Sequence, residues 1–74
     1  MNVLLNDNEI KLLNDKGIDI TPNKDYSESE MFELLDKARD VEVFYSQGSS
    51  DYDLVMANQY ADIADKIQAS IPNV

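Results

Sequence analysis

The sequence contains no cysteine, histidine or tryptophan, and only one arginine, two glycines and two prolines. Without cysteine there is no disulfide framework. Without cysteine and histidine, the usual zinc sites and the Ser–His and Cys–His nucleophilic pairs are excluded. Bases are scarce too: six Lys and Arg stand against fifteen Asp and Glu, a formal net charge of −9. A basic face for phosphates has no material, so direct nucleic-acid binding is not expected. No stretch approaches the roughly 20 apolar residues of a membrane span. The start, Met1-Asn2-Val3-Leu4-Leu5, lacks the basic opening and the apolar run of about 7–15 residues found in signal peptides. No Asn-X-Ser/Thr glycosylation sequon occurs. The expected location is cytoplasmic.

What is present is a chain 43% hydrophobic, which favours folding although the charge pulls toward disorder. Its 74 residues suffice for one domain spanning 1–74. A domain of this size hides only about 60% of the surface its unfolded chain exposes. The core must then come from efficient helix packing or from self-association.

Three segments carry helix signals with matching start and stop chemistry. The first runs over 7–16. Asn6 is placed to cap it with Glu9 three residues on, and Leu5 and Ile10 are spaced as a hydrophobic staple. Gly17 suits the left-handed closing residue, with Ile18 set to meet Leu13 in a Schellman pair. Ile18-Asp19-Ile20-Thr21-Pro22 reads as an ordered, extended connector, because a residue before proline avoids the helical region. The second helix, 28–46, opens on a Ser27–Glu30 capping box with a Tyr26–Met31 staple. Met31, Leu34, Leu35, Ala38, Val41 and Tyr45 form its core stripe, while Phe32 and Val43 form a second apolar strip. A helix apolar on two sides is expected to sit centrally between neighbours.

Gly48-Ser49-Ser50 signals a turn, and Ser50 with Asp53 can cap a third helix over 51–69. Its stripe is Met56, Ala57, Tyr60, Ile63, Ala64 and Ile67, with Ile71 just beyond; the two alanines permit close approach. The expected fold is therefore all-α, a small three-helix bundle with one short N-terminal helix and two longer antiparallel helices.

The carboxylates are the one abundant reactive group. Asp51, Asp62 and Asp65 lie with Asn58 on the face of the third helix opposite its core stripe. They form a solvated face, an acidic surface for a basic partner, or a loose cation site. Asp62–Lys66 and Glu33–Lys37 are spaced for local ion pairs. Paired carboxylates do acid–base work when a cleft pushes their pKa values apart, and a bundle this small has little room for a cleft. A hand-type calcium loop needs Gly at position 6 with oxygen ligands at positions 1, 3, 5 and 12. Counting back from Gly17 and Gly48 puts Leu12 and Val43 at position 1. No catalytic residue, cofactor site or metal site is expected. Glu42 falls inside the apolar stripe, where a lone carboxylate is costly. It should meet a Tyr hydroxyl or a Lys side chain, or mark a place where another protein completes the pair.

Phe44, Leu54 and Val55 lie off the core stripes. Either Val3-Leu4 or Ile18 and Ile20 cover them, or they join Tyr45 and Tyr52 in a mixed aromatic and acidic patch around the second turn. Aromatic anchors rimmed by polar groups are how interfaces gain affinity. Tyr45 and Tyr60 read as core residues with a wet hydroxyl.

The stretch Gly48-Ser49-Ser50-Asp51-Tyr52-Asp53-Leu54 looks superficially similar to the attachment region of acyl and peptidyl carrier proteins, which are also short, acidic helical bundles. That family carries its prosthetic arm on a serine in an Asp-Ser-Leu motif opening its second helix. Here Ser50 is preceded by Ser49 and followed by Asp51, and it lies in the last third of the chain, so the motif fails on both sides.

The functional expectation is a non-enzymatic interaction or regulatory module. It binds a basic partner protein as inhibitor, adaptor or nucleic-acid mimic. By composition it resembles small acidic proteins of bacteria and their mobile elements. The candidate partner-binding residues are Phe44, Tyr52, Leu54, Val55, Asp51, Asn58, Asp62 and Asp65. The alternatives are a structural homodimer, which like-charge repulsion disfavours relative to a monomer, or an atypical carrier-type domain.

Overall fold

A computed structural model describes residues 1–72. Its regular structure is helical: α1 (Asp7–Asp15), α2 (Glu28–Ser46) and α3 (Asp51–Ala69), with no strand among the described residues. This is the three-helix architecture expected from the sequence, and only the end of α1 differs, by one residue.

Each helix start is fixed by local chemistry, a reciprocal capping box. The Glu9 N–H donates to Asn6 Oδ1 at 2.8 Å, and Glu9 Oε1 accepts from the Asn6 N–H at 3.0 Å. Ser27 and Glu30 repeat the exchange at 3.2 and 3.0 Å; Ser50 and Asp53 do so at 3.1 and 3.5 Å. Two orphan donors are satisfied per helix, next to acids that suit the positive end of the dipole. The end of α1 is equally local. Gly17 takes φ +76°, its N–H donates to the Asn14 carbonyl, and the Ile18 N–H donates to the Leu13 carbonyl. These bonds are the Schellman pair.

The connector buries Ile18 and Ile20 and leaves Asp19 in water, the alternation of an extended segment. It then turns at Thr21-Pro22-Asn23-Lys24. Asn23 sits at φ +62°, and the Lys24 N–H reaches the Thr21 carbonyl at 3.4 Å. Proline second and a left-handed Asn third are the signature of a type II turn. The chain start is tied alongside: the Tyr26 N–H donates to the Met1 carbonyl at 2.7 Å, and the Met1 amino group pairs with Asp25.

The centre of the fold is the α2–α3 hairpin. Tyr45 near the end of α2 packs on Tyr52 and Tyr60 of α3, whereas Arg39, earlier in α2, reaches Asp65, later in α3. The two helices are therefore antiparallel. Ala38, Ala57 and Ala64 are all buried, so side chains of minimal size stand where the helices close on each other. Met31, Leu34, Tyr60, Ile63 and Ile67 complete the hairpin core, and Leu13, Ile18, Ile20, Tyr26 and Ile71 join it from outside.

Two expectations need correction. Phe32 and Val43 stay exposed, so α2 is not covered on both sides. The nine-residue α1 and the connector cover one flank only, where Asp19 and Tyr26 approach Leu34 and Lys16 approaches Val41. Nothing is left among the described residues to cover the other. Second, the Tyr60 hydroxyl is not wet. It is buried and donates to the Leu12 carbonyl at 2.6 Å, serving a carbonyl that the ending of α1 leaves without its helical partner.

Candidate functional site

Among the described residues, the seven large apolar side chains left exposed are not scattered evenly. Five of them, Val43, Phe44, Tyr52, Leu54 and Val55, belong to the last turn of α2 and the first turns of α3. Their exposures run from 51% at Val43 to 69% at Phe44. The segments expected as a cover do not reach them. Ile18 and Ile20 are buried in the core, Val3 packs against it, and Leu4 is itself exposed.

The patch rests on an ordered aromatic base. The Tyr45 ring is buried, stacked on Tyr60 with centroids 5.8 Å apart and an interplanar angle of 11°. Phe44 and Tyr52 meet it edge-on at 5.3 and 6.1 Å. Lys16 holds its ammonium 4.8 Å from the Tyr45 centroid, a cation–π arrangement. The Tyr45 hydroxyl also keeps that ammonium protonated above the ordinary lysine range. Beside it lies a shallow groove of about 350 Å³ lined by Lys16, Asp40, Val41 and Phe44.

The polar members expected on the outer face of α3, Asp51, Asn58, Asp62 and Asp65, are all exposed. Three are available to a partner, but Asp65 is engaged. The single arginine, Arg39, donates through Nη1 to Glu42 at 2.9 Å and through Nη2 to Asp65 at 2.9 Å and Gln68 Oε1 at 3.2 Å. Its two carboxylates, Asp65 first, raise the guanidinium above its already high value. Glu42 thus finds Arg39, one turn back on its own helix, rather than a tyrosine or a lysine. Arg39 lies at the i−3 spacing that such pairs use.

The expected Asp62–Lys66 and Glu33–Lys37 pairs do not form. Lys66 Nζ turns instead to Glu9 Oε2 at 2.7 Å. Glu9 is buried and already caps α1 with its other oxygen, and a desolvated carboxylate gains more from a cation than a solvated one such as Asp62. The sequence assigned Glu9 its capping role, yet the second oxygen is spent across the fold, which spacing cannot reveal. Two further carboxylates are held below the ordinary range: Glu30 by the Ser27 backbone N–H and hydroxyl, and Asp25 by the Met1 ammonium.

With Glu9, Asp25, Glu30, Glu42 and Asp65 in ion pairs, the other ten acids form none among the described residues. Nor do three of them gather closely enough there to hold a metal ion. No buried side-chain polar atom among the described residues lacks a hydrogen-bond partner. No helix there is long and apolar enough to cross a membrane. The arrangement offers a strong diffuse negative field, an apolar cluster at one end, and shallow grooves. Compared with protein families, curated proteins and solved structures, the chain shows no match.

Proposed function

We propose that this chain is a non-enzymatic protein-interaction module of the cytoplasm that binds a basic partner protein, as an inhibitor, adaptor or nucleic-acid mimic. The observation that carries the reading is the ten acids outside any ion pair on a small, internally satisfied helical scaffold. Their summed field raises the encounter rate with a positively charged surface and repels nucleic acid. The absence of histidine and cysteine and the shallowness of the grooves support a role without catalysis.

The test is affinity capture from the native host at low and moderate salt, with Asp36, Asp40, Asp51 and Asp62 replaced by Asn in a matched variant. The reading expects partners of basic composition that are retained by the native chain and lost by the variant. Recovery of chance contaminants alone at low salt overturns it.

A second reading, a homodimer, draws on the five exposed apolar side chains at the hairpin end. A sedimentation series across protein concentration separates the two, since a mass that stays monomeric at every concentration removes the dimer.

A further inference from the structure

The hairpin end combines three features found together nowhere else in the described fold. It holds five of the seven exposed large apolar side chains. Residues 40–55 carry four acids (Asp40, Glu42, Asp51, Asp53) and no base; Arg39 pairs with Glu42 and Lys16 lies over Tyr45, which leaves Asp40, Asp51 and Asp53 outside any ion pair among the described residues. It is also braced: Tyr45 stacks on Tyr60, whose hydroxyl donates to the Leu12 carbonyl, and the turn leads directly into the Ser50 cap. The apolar groups lie on both flanks. Phe44 and Tyr52 bracket Tyr45 on the side facing Lys16. Val43 follows Arg39 by four residues, and Leu54 leads through Asn58 and Ala61 to Asp65, so both belong to the stripe of the Arg39–Asp65 pair on the opposite side.

A hairpin end whose apolar side chains stand exposed on two flanks fits a concave counterpart. We propose that the α2–α3 tip inserts as a knob into an apolar cleft of the partner protein, and that Lys and Arg side chains rim that cleft and meet Asp40, Asp51 and Asp53. The proposal rests on the interaction reading above and adds the place and shape of contact. Charge complementarity selects this occupant over a second copy of the chain, since a tip-to-tip contact sets Asp40, Asp51 and Asp53 against their own copies, and like charges facing each other at an interface oppose association. Preorganisation of the tip lowers the ordering cost of binding.

The test uses the full chain in its native host, carrying a photo-crosslinking phenylalanine analogue in place of Phe44, Leu54 or, as a remote control, Phe32. Circular dichroism checks that the helix content of each variant is native. The expected result is one partner crosslinked from positions 44 and 54 and not from 32, with the adducts mapping to apolar residues flanked by Lys or Arg. Asp40→Asn with Asp51→Asn should cut the crosslinked yield at least tenfold. A partner crosslinked equally from position 32 overturns the knob and leaves the acidic interaction reading standing. Adducts on the chain itself overturn the knob in favour of self-association. Absence of adducts from all three positions, where capture still returns a basic partner, overturns the knob alone; where capture fails as well, both readings fall.

Discussion

Replacing Tyr60 with Phe tests how α1 is held to the hairpin. The hydroxyl makes a 2.6 Å bond to the Leu12 carbonyl, and that carbonyl has lost its usual partner because the Lys16 N–H turns to the Leu13 carbonyl instead. The ring itself stays, so the stack on Tyr45 survives and no cavity forms. A net hydrogen bond contributes about 0.5–1.5 kcal/mol, and a stranded buried partner costs about 1–3 kcal/mol. Leu12 is half-buried, so water recovers part of the loss, and about 1 kcal/mol is expected. In a domain of this length that lowers Tm by about 4–8 °C. Urea unfolding with an unchanged m-value reads the same quantity.

Alkaline titration supplies an independent arm. Burial pushes the Tyr60 phenol above its ordinary value, so the folded state holds this proton more tightly than the unfolded one. The corresponding stability is fully present below about pH 10 and is lost as pH rises through the folded value. The phenylalanine variant lacks this component, so the gap between the two proteins should narrow above about pH 10. A variant within about 0.3 kcal/mol of the native chain, with unchanged amide exchange at Leu13–Ile18, refutes the assignment of this bond.

Four further outcomes are expected. Gly17→Ala should cost about 1–2 kcal/mol because its φ of +76° is left-handed while nothing crowds the new methyl, so Gly17→Asn should recover part of the loss. Gly48→Ala should cost about 1–2 kcal/mol, because the new methyl meets Asp53 at its Cβ and Cγ as well as its carboxylate and so displaces the α3 cap, and Asn there should recover nothing; equal recovery at both sites sinks the distinction. Ala64→Leu should destabilise by about 1–3 kcal/mol, since the site is fully buried between α2 and α3, and a neutral result in urea unfolding denies that close approach. Added NaCl should raise Tm as the Debye length shrinks from about 30 Å to about 8 Å and ten unpaired acids repel less; a fall in Tm assigns the balance to the ion pairs instead.

The helix boundaries were legible because each is written in a few consecutive residues: Asn6 with Glu9, Ser27 with Glu30, Ser50 with Asp53, and Gly17 after α1. Capping and left-handed closure are local physics, so a linear reading reaches them. What escaped it depends on partners far along the chain. The pairing of Lys66 with Glu9 and the hub of Arg39 on Asp65 and Gln68 arise only once three segments meet. The exposure of Phe32 and Val43 shows a related limit. A helical wheel displays how many faces are apolar, not how many neighbours the rest of the chain can supply. Glu42 is different, since its partner Arg39 stands at i−3 on the same helix, a spacing that a linear reading reaches. The apolar members of the candidate surface were visible as residues off the core stripes, but their clustering on a rigid aromatic base was not.

The brevity of the Gln47–Ser50 turn also sets how the entropy of closing the chain is divided. Closing so short a loop forfeits little chain entropy, whereas α1 must find its seat across the whole connector. The hairpin therefore closes at small entropic cost, whereas the contacts of α1 with α3, Tyr60 to Leu12 and Lys66 to Glu9, close loops of about fifty residues and weigh more heavily on the chain.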